Sequence, residues 1–410
     1  MNEKMLRQYA RLIVGVGVNL QKNQTLVVAC PVECAYFGRM LTDAAYEAGA
    51  KDVIINWRDD YCSRQHYLYA DDSLFDNVYP WDALQRNTLA REGAAYVAIS
   101  ASNPENLKGV DPERLRRWEI AAGRDMKECQ RLQMSNGFPW CVVSIPVASW
   151  ARKVFPGLTD DEAMERLWDE IFKAVRITED GDAVAEWREH CSRIEGKAKE
   201  LNEHRFKSLH YTNSLGTDLT VGMPEDHVWM AGGDTTKSGV RFVANMPTEE
   251  VFSAPLRDSV NGVFYASKPL VLNGTIVKGI RFTFKDGRIV DLHADEGEET
   301  LKAAVGTDEG SHYLGEIALV PYDSPISKSG VLFFNTLFDE NASCHFAFGK
   351  AYPSCIRGGE DMGMEELIAH GINAESNTHV DFMVGTDDLS ITGITHDGRE
   401  IPVMRNGNWC

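Results

Sequence analysis

The hydrophobic period of this chain changes near residue 205, and no other feature constrains its fold as much. Before that point, short apolar runs alternate with longer segments of helical spacing. TLVVAC (25–30) reads as a buried strand, ECAYFGRMLTDAAYEAG (33–49) as a helix, and DVIINW (52–57) as the next strand. Two strands joined through a helix pair in parallel, because the crossover returns the chain to the end it started from. AAYVAIS (94–100) and CVVSIP (141–146) read as further strands. Asp111-Pro112 is an N-cap followed by a first-turn proline, opening a helix through ERLRRWEIAAGRDMKE. Thr159 and Glu162 have the spacing of a capping box ahead of AMERLWDEIFKAV. AVAEWREHCSRIEGKAKELNE then reaches about residue 204 as a last helix.

Beyond residue 205 the chain reads as strand pairs. LHYTNSLGTDLTVGM, LVLNGTIVKGI, IRFTFKDGRIVDL and LSITGITHDGREIPV turn around Asn-Gly, Asp-Gly or related glycine-containing steps. One helix is expected near 363–370. The expected fold is an α/β N-terminal domain (1–205) with a partly parallel sheet, followed by a mainly antiparallel β (α+β) C-terminal domain (206–410). A length of 410 residues is enough for two domains.

Charge and cysteine usage narrow the function. A net charge of −19 argues against nucleic-acid or anionic-membrane partners, which demand basic patches. The nine cysteines include no CxxC pair, and a chain of this length needs no disulfide staples, so reduced thiols in a cytoplasm are expected. MNEKMLRQYARLIVGVGVNL has helical spacing and lacks the parts of a signal peptide. No apolar run approaches the ~18 residues of a membrane span.

Two phosphate-site lookalikes fail on context. GVGVN (15–19) precedes the first clear strand, and GGDTTKSG (232–239) lacks the glycine before its lysine; both are expected to be turns. What remains is a set of carboxylates and histidines in apolar stretches of the second half. NMPTEEVFSAP carries Glu249 and Glu250, HYLGEIALVP carries Glu316, and NASCHFAFGKAYP carries His345 and Tyr352. NTHVDFMVG carries His379 and Asp381, whose i, i+2 spacing puts both on one face of a strand. Each alone has an ordinary explanation: a buried histidine hydrogen-bonds in the core, a glutamate beside a turn is solvated, and a tyrosine near a proline packs. Together, two histidines and three carboxylates are the ligand stock of a site for two divalent ions. Adjacent residues of an extended chain face opposite ways, so only one of Glu249 and Glu250 should join it.

NMPTEEVFSAP, LGEIALVP, SGVLFFNTLFDENASCHFAFGKAYP and NTHVDFMVG resemble the motifs of the aminopeptidase T/aminopeptidase S (PepS) family of metallopeptidases. The resemblance covers residues 210–390 almost without interruption and continues more loosely through the N-terminal half. It implies an exopeptidase with two divalent ions (zinc, cobalt or manganese) held by Glu250, Glu316, His345, His379 and Asp381. It implies that Tyr352 is the catalytic tyrosine, that the substrates are peptides with a free N-terminus, and that the protein is a homodimer. On this basis Glu316 is expected to serve as ligand and as the carboxylate that carries a proton to the leaving amine, and Tyr352 to donate to the oxyanion. The alternatives are another two-metal hydrolase, such as a dipeptidase or amidohydrolase, or a binding protein with structural ions. Structural sites favour thiolates, and no cysteine belongs to this set.

Overall fold

The βαβ unit expected at residues 25–57 is present, and it seeds a parallel sheet in a computed structural model that describes residues 2–272 and 274–410. Strand Thr25–Pro31 lies between Asp52–Arg58 and Ala95–Ile99; Trp140–Val143 and the two-residue strand Asn245–Met246 follow. All pairings in this sheet are parallel. Leu26, Val27 and Val28 are buried, as a near-continuous apolar run in a strand covered on both faces should be. Helix Ala35–Glu47 makes the crossover and approaches its strand closely at Gly38, where a Cβ would stand 3.1 Å from the Cys30 sulfur. Asp111 accepts the Glu113 N–H at 2.9 Å, and the Thr159–Glu162 capping box forms. These elements belong to one compact unit, Met1–His190 with Gly233–Thr248.

Neither phosphate-site lookalike forms a phosphate loop. Residues Ile13–Gly17 make a π-helical turn after the first helix, and Asp234–Thr235 pairs with Arg241–Phe242 as a short ribbon.

The second unit, Cys191–Gly232 with Glu249–Cys410, is antiparallel as expected. An eight-stranded sheet runs in the order 288–293, 281–285, 260–265, 218–222, 208–212, 390–394, 400–405, 408–409. Its Asp286-Gly287 turn has φ of 49° and 82°, the left-handed pair that a two-residue hairpin requires. Of the Asn-Gly turn expected at 273–274, Asn273 lies outside the described residues. The second sheet has five strands in the order His379–Met383, His345–Gly349, Leu314–Leu319, Val251–Ser253, Met230–Ala231. The predicted short helix spans Met364–Ala369. Among the described residues no helix is long and apolar enough to cross a membrane, and all nine cysteines are free.

Alternation along the five-stranded sheet decides what each face does. Phe346, Phe348 and Phe382 point toward the eight-stranded sheet and meet Phe264 and Phe282 from it. The Phe382 ring lies 4.7 Å from Phe264 and 5.1 Å from Phe282, both edge to face. The intervening residues, including His345, His379 and Asp381, take the opposite face. Phe382→Ala should lower the stability of this unit by about 3–5 kcal/mol in urea unfolding. A loss below about 1 kcal/mol would mean that this cluster does not hold the two sheets together.

Candidate metal centre

Three neighbouring strands bring the predicted residues to one face. Glu316 pairs across the ladder with Ala347, and Ala347 with Asp381; His345 pairs with Ala318, and Gly349 with His379. The small residues Ala318, Ala347 and Gly349 leave space between the functional side chains. Glu250 enters from the residue before strand Val251–Ser253. Its carboxylate oxygen lies 3.3 Å from His345 Nε2. Glu249, also buried, donates its backbone N–H to Asn341 Oδ1 at 2.7 Å.

Glu316 stands between the two histidines. One of its oxygens is 3.7 Å from His345 Nε2, and the other is 3.4 Å from His379 Nε2. Asp381 Oδ1 is 3.4 Å from the same His379 nitrogen. One ligand atom each from Glu250, Glu316 and His345 lies within 4.8 Å of the other two. His379 and Asp381 extend this group through Glu316. Tyr352 sets its ring edge-on to His379, with centroids 5.3 Å apart.

The imidazole orientations test whether this set fits cations. His345 Nδ1 lies 3.0 Å from the Ser343 carbonyl, and His379 Nδ1 lies 2.8 Å from the Lys350 carbonyl. A carbonyl only accepts, so both Nδ1 atoms carry the hydrogen and donate it. In a neutral ring, Nε2 is then a bare lone pair. Both Nε2 atoms point at carboxylate oxygens, which also carry lone pairs. That arrangement calls for positive charge between the facing atoms, a proton on each Nε2 in the protein alone or a cation when one is bound. A backbone-anchored Nδ1–H is the usual outer support of a metal-bound histidine. The donors are oxygen and imidazole, suited to zinc, cobalt and manganese. The residues fit.

The local field gives the same demand. Burial pushes the Glu250 carboxyl up against the lowering effect of His345. Burial would also raise Glu316, but hydrogen bonding by His345 and His379 overrides it and holds this carboxyl at about 2. Burial opposes charge on both imidazoles, yet Glu250 and Glu316 raise His345 well above its ordinary value, and Asp381 and Glu316 do the same for His379. Burial raises the Tyr352 phenol, so it remains a hydrogen-bond donor at neutral pH.

One residue of the cluster escaped prediction. Glu340 is 9% exposed, and burial followed by the charges of Asp381 and Glu250 drives its carboxyl well above the ordinary range. It lies in the single turn Glu340–Ala342, held by Asp339, which accepts the N–H groups of Phe333 at 2.8 Å and Asn335 at 3.0 Å. The adjacent acids of TLFDENA, set in an apolar stretch, were the available signal. Asn341 ties this turn to the Glu249–Glu250 segment. It is fully buried, accepts from Glu249, and donates to the Leu337 carbonyl at 2.9 Å. Asn341→Ala strands the buried Glu249 N–H and should cost about 1–3 kcal/mol in urea unfolding. A cost near zero would show that the amide holds nothing in place.

The chain is similar to known proteins over almost its whole length. Residues 2–409 match the family described as "Thermophilic metalloprotease (M29)". Aminopeptidase AmpS of Bacillus subtilis is 48% identical over 405 residues, covering 99% of this chain and 98% of that one. Aminopeptidase T of Thermus aquaticus is 41% identical over 404 residues, covering 98% of each. The solved structure of wild-type AmpT from Thermus thermophilus superposes with a TM-score of 0.91 at 40% identity, covering 99% of both chains.

Proposed function

The chain belongs to the M29 family of metalloproteases and is a metal-dependent aminopeptidase, and we propose that it works with two divalent ions held by Glu250, Glu316, His345, His379 and Asp381. The observation that carries this is the placement of Glu316, one oxygen toward each histidine. A carboxylate so placed suits two ions, with Glu250 and His345 on one side and His379 and Asp381 on the other. Glu340, buried against Asp381 and Glu250, completes the acidic lining. Zinc, cobalt and manganese all suit these donors. From the family resemblance we infer a homodimer in the cytoplasm acting on peptides with a free N-terminus. The catalytic residues all lie within 206–410 and the α/β part mainly within 1–205, a boundary that residues 191–205 and 233–248 cross in the two compact units.

Divalent ions, when bound, supply Lewis acidity toward a peptide carbonyl and acidify water. The side chains do the rest. Glu316, a carboxylate set between the two histidines, would accept the proton of attacking water and pass it to the leaving amine. Tyr352, protonated and fixed against His379, donates its hydroxyl hydrogen to the developing oxyanion. The remaining carboxylates offer partners to the substrate's α-ammonium group, and an N-blocked peptide lacks that group.

Exhaustive chelation should abolish cleavage of aminoacyl substrates, and zinc, cobalt or manganese should restore it. Full activity after chelation would refute the metal requirement, and cleavage of N-blocked peptides would favour a different two-metal hydrolase. Glu316→Gln should fold and lose several orders of magnitude in kcat, whereas near-normal turnover would remove Glu316 from both roles. Tyr352→Phe should lower kcat by about 10²–10³ with little change in KM, the pattern of an interaction made in the transition state. A change confined to KM would make Tyr352 a substrate-binding residue.

A further inference from the structure

We propose that Phe252 forms the floor of the subsite that takes the side chain of a substrate's N-terminal residue, which makes it a specificity-determining residue. This rests on the aminopeptidase function proposed above. Phe252 lies two residues after Glu250, so both side chains leave the same face of the five-stranded sheet. Val251, between them, packs into the core on the opposite face. Across the ladder Phe252 pairs with Ala318, and Ala318 pairs with His345. Two strand spacings of ~4.8 Å therefore separate Phe252 from His345 along the sheet. The methyl of Ala318 is all that stands between them in that row.

The ring has apolar support behind it. Its centroid lies 6.1 Å from that of Tyr352, edge to face, and it packs against a small cluster that includes Ala254, Ile356, Leu367 and Ile372. Phe252 is nevertheless only half-buried, unlike the phenylalanines on the core face, and so are Tyr352 and Met362 beside the same cluster. A partly exposed aromatic ring is therefore set on the face that gathers the buried carboxylates. An apolar side chain would cover it without desolvating a charge. The occupant that meets both is a residue whose ammonium lies at the carboxylate cluster and whose apolar side chain lies on the ring. The subsite thus favours leucyl, phenylalanyl and similar N-termini over glycyl and alanyl ones.

The test compares metal-loaded wild type, Phe252→Ala and Phe252→Leu on glycyl, alanyl, leucyl and phenylalanyl p-nitroanilides, with metal content measured on each. Phe252→Ala should lower kcat/KM for the leucyl and phenylalanyl substrates by roughly ten- to a hundredfold relative to alanyl, mainly through KM. Its metal content should equal that of wild type, and Phe252→Leu should keep the apolar preference to within a few fold. An equal loss on all four substrates, or a loss in kcat alone, would overturn the proposal and leave Phe252 as packing for Tyr352. If the alanine variant does not fold, Phe252→Trp decides. Its larger ring should cost the phenylalanyl substrate at least tenfold against alanyl, and an unchanged ratio overturns the proposal. A wild-type protein inactive on every substrate would instead defeat the aminopeptidase function on which the subsite depends.

Discussion

Two imidazole nitrogens facing the two oxygens of one buried glutamate form the contact on which the rest of the second unit depends. Glu316 is 5% exposed and His345 is 1% exposed, so water cannot screen them. Isolated charges in such a place cost several kcal/mol each, and only opposite charge at close range offsets that. The sheet supplies the geometry. Three strands with small residues between the functional ones let the side chains converge, while the backbone ladder satisfies its own hydrogen bonds. The carbonyls of Ser343 and Lys350 fix the direction of each ring.

The opposite face provides the rigidity. Phe346, Phe348 and Phe382 alternate with His345, Ala347 and Asp381, so each strand anchors its functional residues through the aromatic ring next to them. A one-residue slip in register would send the phenylalanines to the charged face and His345, His379 and Asp381 into the core. The fold and the site are therefore specified by the same pattern.

That pattern is why much of the site was legible in the sequence. His379 and Asp381 stand two apart in an apolar run, so strand periodicity gives their shared face, while the family resemblance is what joined Glu250, Glu316 and His345 to them. The βαβ unit and the hairpins around Asp-Gly were legible for similar reasons, since the chemistry of a turn is local. Glu340 was not. It sits in a single turn with no periodicity, and its burial follows from the Asp339 and Asn341 contacts that hold the turn in place. Strand Asn245–Met246 is two residues long, and its membership of the parallel sheet rests on a tertiary pairing with Val142 and Val143. Helix Asp60–Tyr69 buries no residue, so it has no apolar stripe to read. Strand alternation poses the choice between Glu249 and Glu250, the family resemblance favours Glu250, and the fold turns that residue toward His345.

The central claim is that Glu316 serves two cations at once, and counting the ions tests it most directly. Chelator-treated protein titrated with manganese, with free ion followed by paramagnetic resonance, should bind two ions per chain with a spin-coupled signal. Glu316→Ala should lose both the coupling and at least one of the two ions. A wild-type stoichiometry of one, or two uncoupled ions unaffected by Glu316→Ala, would contradict it.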